Sequence, residues 1–413
     1  MRSLGIGDRL PPGIRRLMTD SDLPLRQAAY QSSLRDERLA AYLGASLAIL
    51  FSVCFVTGLY SHLQQHPQSW LPIPARPAGL YRLSQGIHVA AGIASVPVLI
   101  AKLWLVWPRF VAFPAVKRVS HLVERIGLFP LVGGGIFMAF SGVANIAQWY
   151  PWRFSFTASH FWMAWVTMGA ITAHVGAKWA ISRRALTRPS RRPALAEADP
   201  VLGTAADTAA AVGGVGLTRR GLLGTVAAAS GLLTLVTVGQ TFSPLRRLAL
   251  LAPRDPGVGP QGYPVNRGSG NAGVRDLARS PDYRLTVGGR VATPLSFDHD
   301  GLLALPSKGA TLPIACVEGW SYSAAWSGVP VRDLLAMAGA EPDRTILVES
   351  LEPNGAYRTS TLNPGQAADR DTLLATHLDG QPLALDHGFP CRLIGPNRAG
   401  VLQTKWVTKV TVL

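Results

Sequence analysis

A chain of 413 residues, 48% of them hydrophobic, can hold two or three domains. Its formal net charge of +16 does not mark a nucleic-acid binder. The basic residues cluster between long apolar runs, no basic stretch is interleaved with aromatics, and no zinc-finger or helix-turn-helix spacing occurs. The three cysteines, Cys54, Cys316 and Cys391, include no CxxC pair and imply neither a disulfide framework nor a zinc site.

Residues 1–38 are polar, rich in Arg and Pro, and lack an apolar core near the start, which reads as a cytoplasmic tail. Residues 39–182 then hold four apolar runs, at about 39–61, 83–107, 122–146 and 156–181. Each has the roughly 20 residues needed to cross a hydrocarbon core of about 30 Å. Lys and Arg set the orientation: seven lie in 1–39, four in 106–125 and eight in 178–220. Against these nineteen stand only Arg76, Arg82 and Arg153 in the intervening loops, so the N-terminus is expected in the cytoplasm. Trp149, Tyr150 and Trp152 then fall at the outer interface.

Five of the nine histidines lie in or beside these runs: His62, His88, His121, His160 and His174. Ionisable residues at membrane depth are costly and mostly functional. Two facing imidazoles are the axial pair of a low-spin electron-transfer haem, and a four-helix bundle can present such pairs inward. His88 and His160, near the outer ends of the second and fourth runs, form the first candidate pair. His174 follows His160 by fourteen residues, on nearly the same face and about 21 Å deeper. It would pair with His121 at the inner mouth of the third run. This spacing resembles the di-haem b cytochromes, including the membrane subunits of formate dehydrogenases, although the first run lacks a histidine at its cytoplasmic end. The resemblance implies one or two haem b groups; a hydrogen-bonded structural histidine is the alternative at each position. His62, beyond the end of the first run, competes for the outer haem, caps the helix or faces water.

Residues 183–216 form a Pro/Ala/Arg-rich linker without periodicity. Residues 217–243 give a fifth apolar helix preceded by Arg219 and Arg220. This reads either as an internal twin-arginine export signal or as an ordinary anchor helix with two positive-inside arginines. Both readings place the remainder of the chain outside the cytoplasm. From 244 to 413 the pattern changes to short β-rich runs with Gly/Pro punctuation. Strands are expected at 283–289, 345–350, 390–395 and 405–413, and a short helix at 331–339 ended by Gly339. This is an α+β domain. Within it Cys316 comes after a short apolar run in TLPIACVEGWSYSAAW (311–326). A thiolate is a soft ligand suited to a transition metal; a small buried hydrophobe is the plain alternative.

Three blocks bear on that choice: CVEGWS (316–321) with WSGVPVRDLL (326–335), VESLEPNGAYRTS (348–360), and LDGQPLALDHGFPCRLIGPNRAGVLQTKW (378–406). In sequence and order they resemble the sulfite oxidase-type molybdopterin oxidoreductases. The resemblance implies a molybdenum-molybdopterin cofactor whose metal is held by Cys316. It implies that Arg392, with Gln403, Thr404 and Lys405, grips the pterin and its phosphate, and that His387, Ser350 and Asn266 make further cofactor contacts. Tyr357 matches the active-site tyrosine that hydrogen-bonds an oxo group or substrate oxygen. A phosphate suits such a site, since it takes a guanidinium fork and backbone N–H donors. Sulfite oxidases proper carry an Asn and an Arg shortly after the metal cysteine, where this chain has Val317, Glu318, Gly319 and Trp320. Glu318 there opposes a dianionic substrate, and CVEGWS is more similar to the bacterial methionine sulfoxide reductase catalytic subunits.

The fold class expected is therefore multi-domain. An all-α transmembrane bundle of four helices plus one anchor helix precedes an α+β sulfite oxidase-type molybdopterin domain. The function expected is oxygen-atom transfer outside the cell membrane, with electrons exchanged with the quinone pool through haem b. The substrate would be a small molecule or a methionine-sulfoxide-type group, and the lipid bilayer the other partner. A non-catalytic haem carrier or sensor, or a molybdenum enzyme on a haem-free anchor, remain the alternatives.

Overall fold

Each of the five apolar runs becomes one long helix. In the computed structural model, which describes residues 34–110, 119–187, 218–239, 243–254 and 257–413, these are α1 (Glu37–Gln65), α2 (Leu80–Phe110), α3 (Val119–Ile146), α4 (Phe156–Thr187) and α5 (Arg219–Val238). The tail up to residue 33 and most of the 183–216 linker lie outside the described residues. Asp36 starts α1 by accepting the Leu39 N–H at 2.7 Å, which satisfies one of the open donors of the first turn. The helix continues to Gln65, so His62 stands in its last turn and not beyond its end. α1, α2, α3 and α5 are long and apolar enough to cross a membrane. α4 has the length, at 32 residues, but His160, His174, Lys178 and its threonines dilute the apolar window.

The chain divides into two compact units, and α1 to α5 each contribute to both. The first gathers residues 1–52, 94–140 and 162–232. Its core joins Leu39 and Leu43 of α1, Val98, Ala101 and Leu105 of α2, and Val226 of α5. Ser230 on α5 donates to the Ala94 carbonyl at 2.8 Å. The second unit gathers 53–93, 141–161 and 233–413. There Val89 and Ile93 of α2 pack with Ile146 of α3 and Val238 of α5.

Ten strands follow in the second unit: β1 (Leu285–Gly289), β2 (Leu295–Phe297), β3 (Lys308–Ala315), β4 (Ser321–Pro330), β5 (Ile346–Ser350), β6 (Thr359–Leu362), β7 (Leu373–Leu378), β8 (Gln381–Pro382), β9 (Arg392–Ile394) and β10 (Val407–Val412). One sheet runs β2-β1-β10-β5-β6, with β1 and β10 parallel and its other pairs antiparallel. The other runs β3-β4-β7-β8, with β9 also on β7. A helix at Val331–Met337, followed by Gly339 at φ +60°, leads from β4 toward β5.

Two cores meet at the middle of the second sheet. Leu374 and Leu393 belong to the core that holds Leu285, Val287, Val348 and Val410. Their neighbours Leu373, Ala375 and Ile394 belong to the core that holds Ile314, Cys316, Tyr322 and Trp326. β7 and β9 are thus buried on both faces, the setting in which strands lose polar/apolar alternation. That is why β7 leaves no clear strand signal in the sequence. β4 leaves none for another reason: its alternation is written in Ser and Ala, with only Tyr322 and Trp326 as strong strand formers.

Candidate cofactor cleft and paired histidines

β3 and β4 pair in register from Lys308 with Gly328 to Ala315 with Ser321, leaving Cys316–Trp320 as the connecting turn. The turn is closed by Cys316 N–H donating to the Trp320 carbonyl at 2.9 Å and Gly319 N–H donating to the Cys316 carbonyl at 3.1 Å. Gly319 adopts φ +90°, a left-handed conformation that side-chain-bearing residues rarely take. Cys316 is 3% exposed, and burial, helped by the Glu318 charge, pushes its thiol well above the usual range. A bound metal cation reverses that preference and takes the thiolate.

β9 supplies the opposite wall. Gln403 spans the loop after it, accepting from Gly395 N–H and donating to the Gly395 carbonyl, both at 2.9 Å. This staple holds residues 395–403 as a closed loop and carries Thr404 and Lys405 behind it. Arg392, 4% exposed, donates to the His387 carbonyl at 3.0 Å and the Gln403 carbonyl at 3.1 Å, and lies over the Trp326 ring at 5.1 Å. Its Nε is buried without a hydrogen-bond partner. Lys405 donates to the Asp386 carbonyl at 3.1 Å and to the Arg267 carbonyl, and stands 4.6 Å from the Trp406 ring. Burial, then the neighbouring Arg392, lowers its pKa to about 7. Among the described residues neither cation forms an ion pair with a carboxylate. A buried and a half-buried cation, both bonded to neutral carbonyls, fit an anion.

Asn266, Cys316, Tyr357, His387, Arg392, Gln403, Thr404 and Lys405 line one cleft, which encloses about 670 Å³ of space, part of it open to solvent. His387 Nε2 is 2.7 Å from the Pro260 carbonyl; a carbonyl only accepts, so Nε2 carries the hydrogen. Burial lowers the His387 pKa to about 4, which keeps the ring neutral. The Thr404 hydroxyl is bonded to that of Ser360 at 2.6 Å. Tyr357, 39% exposed, donates to Gln65 Oε1 at 3.4 Å.

Two expectations change. Ser350 is not among the lining residues: its hydroxyl accepts the Glu352 N–H at 3.1 Å, closing the turn after β5. Glu352 lines the cleft instead, paired with Arg267 at 3.0 Å. Glu318, expected to repel anions beside the metal, is also not among the lining residues. Its Oε2 accepts from Trp320 Nε1 at 2.7 Å, Gln148 Nε2 at 3.0 Å and Arg254 Nε at 3.3 Å. With its charge matched by Arg254, Glu318 no longer argues strongly against an anionic substrate.

Among the described residues no cluster of three His, Cys, Asp or Glu could hold a metal ion. A metal at Cys316 therefore needs its remaining ligands from a cofactor, and a group bearing soft sulfurs and a phosphate suits this donor set.

A second candidate site lies on the helices. His88 Nδ1 is 2.9 Å from the Cys54 carbonyl and 3.2 Å from Thr57 Oγ1, and His160 Nδ1 is 2.7 Å from Ser141 Oγ. The carbonyl fixes the His88 hydrogen on Nδ1 and leaves Nε2 as a lone-pair donor, the tautomer of a metal-ligating imidazole. The ring centroids are 6.2 Å apart. Two imidazoles on one metal ion at about 2 Å each have centroids roughly 6 Å apart, so the spacing fits an axial pair. His62 is engaged elsewhere, stacked on Phe161 at 3.6 Å and His66 at 4.2 Å. His174 lies on α4, and the side chain of His121, its expected partner, lies outside the described residues.

Residues 272–413 match the family described as "Oxidoreductase molybdopterin binding domain". The mitochondrial sulfite oxidase of Drosophila melanogaster is 31% identical over 32% of this chain and 27% of its own length. A protein of Azospira oryzae, described provisionally as the protein-methionine-sulfoxide reductase subunit YedZ1, is 32% identical over 36% of this chain and 56% of its own. The protein-methionine-sulfoxide reductase catalytic subunit MsrP of Xanthomonas axonopodis pv. citri is 31% identical over 33% of this chain and 46% of its own. The chain thus spans between about a quarter and just over half of these relatives.

Proposed function

Because residues 272–413 are a molybdopterin oxidoreductase domain of the sulfite oxidase type, we propose that the chain is a membrane-anchored enzyme that removes an oxygen atom from a small sulfoxide- or N-oxide-type substrate. Its electrons come from quinol through haem b, the N-terminus is cytoplasmic and the cleft faces out of the cell. One observation carries the reading: a single buried thiolate donor, Cys316, shares a cleft with two cations, the buried Arg392 and the half-buried Lys405, that have no carboxylate ion pair among the described residues.

When bound, the molybdenum-pterin group supplies two-electron oxygen-atom exchange. Cys316 would hold the metal, and Arg392 and Lys405 would hold the anionic end of the group, since both are cations placed to donate charge-assisted hydrogen bonds. Tyr357 presents a hydroxyl that can donate to a substrate oxygen, and Trp320 and Tyr322 line the same cleft with aromatic surface. His88 and His160 are the haem ligands in this reading, supported by their spacing and their bonded Nδ1 atoms. Four apolar helices support a place in the bilayer, and the Lys/Arg asymmetry of the loops supports the orientation.

The test is to quantify molybdenum and haem per chain in purified protein, then follow haem oxidation state with sulfoxides, N-oxides and oxyanions. Near-stoichiometric molybdenum and haem, with sulfoxide reoxidising dithionite-reduced haem, is the expected result. Haem without molybdenum, or a substrate that reduces the haem while no sulfoxide oxidises it, overturns the proposal.

A further inference from the structure

The turn that carries Cys316 is held by side chains from two of the long helices. Asn145 of α3 donates through Nδ2 to the Val317 carbonyl at 3.0 Å, and Gln148, just past α3, donates to Glu318 at 3.0 Å. On the other flank Arg82 of α2 donates to Ser321 Oγ at 3.1 Å and Ser323 Oγ at 2.9 Å. Between them Gly319 lies flat on the helices: a Cβ there would stand 3.3 Å from Val89 Cγ1 and 3.7 Å from Ile146 Cγ1. Val89 directly follows His88, and Gly319 N–H donates to the Cys316 carbonyl.

The turn does not need this clasp for its own shape, since the Cys316–Trp320 backbone bond already closes it. The clasp fixes its place. Three donors converge on one oxygen of Glu318, two of them from outside the turn, and charge-assisted bonds of this kind order a carboxylate strongly. A short covalent and van der Waals route from His88 to Cys316 passes through Val89 and Gly319.

We infer that Asn145 and Gln148 are positioning residues of an electron-transfer junction. They hold the Cys316 turn against the helix segment bearing His88, so that electrons cross by direct contact and not by a diffusing carrier. The inference rests on the proposed function. Two one-electron passages serve each turnover. Quinol is oxidised to quinone, giving two electrons and two protons; the substrate is reduced by losing one oxygen atom, which leaves with those protons as water.

The experiment uses the full chain with Asn145→Ala, Gln148→Ala and both together. Three quantities are read: amide hydrogen exchange of residues 316–321 in metal-free protein, reoxidation of reduced haem by methionine sulfoxide, and turnover driven by reduced viologen delivered directly to the outer domain. The clasp predicts exchange faster by roughly tenfold or more as the turn opens locally, and haem reoxidation slower by a similar factor, because the contact with the His88 segment loosens while the turn's own Cys316–Trp320 bond keeps its shape. Viologen-driven turnover and the haem and molybdenum contents stay within about twofold of the parent. Unchanged exchange and unchanged reoxidation overturn the inference, as does equal loss of viologen-driven and haem-driven turnover. Should the double variant fail to assemble, the single variants decide by the same criteria. A parent protein that lacks haem or molybdenum, or whose haem ignores every acceptor, instead sinks the proposed function.

Discussion

Gly400 lies so close to Ala315 that a Cβ on it would stand 2.8 Å from the Ala315 carbonyl oxygen. The loop that leads to Gln403, Thr404 and Lys405 therefore rests directly on the end of the strand that leads to Cys316. Gly400→Ala is expected to push the two walls of the cleft apart. Overpacking of this size costs about 1–3 kcal/mol, and cofactor retention should fall further than stability. Thermal unfolding with and without cofactor, beside molybdenum content, measures both.

Cys316→Ser keeps nearly the same volume but puts a hydroxyl into a buried apolar cluster, so the cofactor-free domain should lose about 1–3 kcal/mol. Turnover should fall by roughly 100-fold or more, at or beyond the upper end of what losing a supporting residue costs. Full turnover in this variant would contradict the role of the thiolate.

If His88 and His160 hold a haem as proposed, His160→Ala should abolish its reduced-minus-oxidised α band. Ser141→Ala, which removes the partner of His160 Nδ1 and leaves the ring itself in place, should keep the band but weaken haem retention by about 10- to 100-fold. Optical titration of the purified variants distinguishes the two.

Lys405 makes the cofactor-free domain sensitive to alkaline pH. An unfolded lysine keeps its proton up to about 10.5, whereas the buried one releases it near about 7. Between those values the unfolded chain binds the extra proton, so stability rises with pH, by up to about 1.4 kcal/mol per unit. Below about 7 this group contributes no slope. An anionic cofactor restores the proton, so binding at pH 8 should take up a proton and flatten the dependence. Melting curves from pH 7 to 9, with and without cofactor, test this.

Asn397, 1% exposed and at φ +50°, ties the helix ends to the cleft loop. Its Oδ1 accepts from Tyr60 Oη at 3.0 Å and Tyr81 N–H at 2.9 Å, and its Nδ2 donates to the Pro74 carbonyl at 2.7 Å. Asn397→Gly tolerates the backbone but strands three partners, which should cost about 2–4 kcal/mol. Asn397→Asp keeps the acceptor but buries a carboxylate with an oxygen against the Pro74 carbonyl, so it should melt no higher than the glycine variant at neutral pH and recover at acid pH as the carboxyl takes a proton.

Much of this was legible in the sequence because the relevant signals are local. Apolar length marked the helices, and the CVEGWS and GFPCRLIGPNRAGVLQTKW blocks marked the residues that the structure gathers into one cleft. The features that escaped depend on contacts far apart in the chain. Glu318 looks like a repulsive neighbour of the metal until Gln148 and Arg254 claim its carboxylate. Ser350 and Glu352 sit two residues apart, and only the turn between them decides which one faces the cleft. Arg267, beside Asn266 in YPVNR, carried no signal of its own because its partner Glu352 lies 85 positions later.

β10, the strand latest in the chain, occupies the middle of its sheet between β1 and β5. Such a sheet cannot grow outward from its earlier members, because a gap separates them until residues 407–412 arrive. Lys405 and its neighbours are drawn into place by that same insertion. The cleft residues that stand just before β10 are therefore set only once that gap in the sheet has closed.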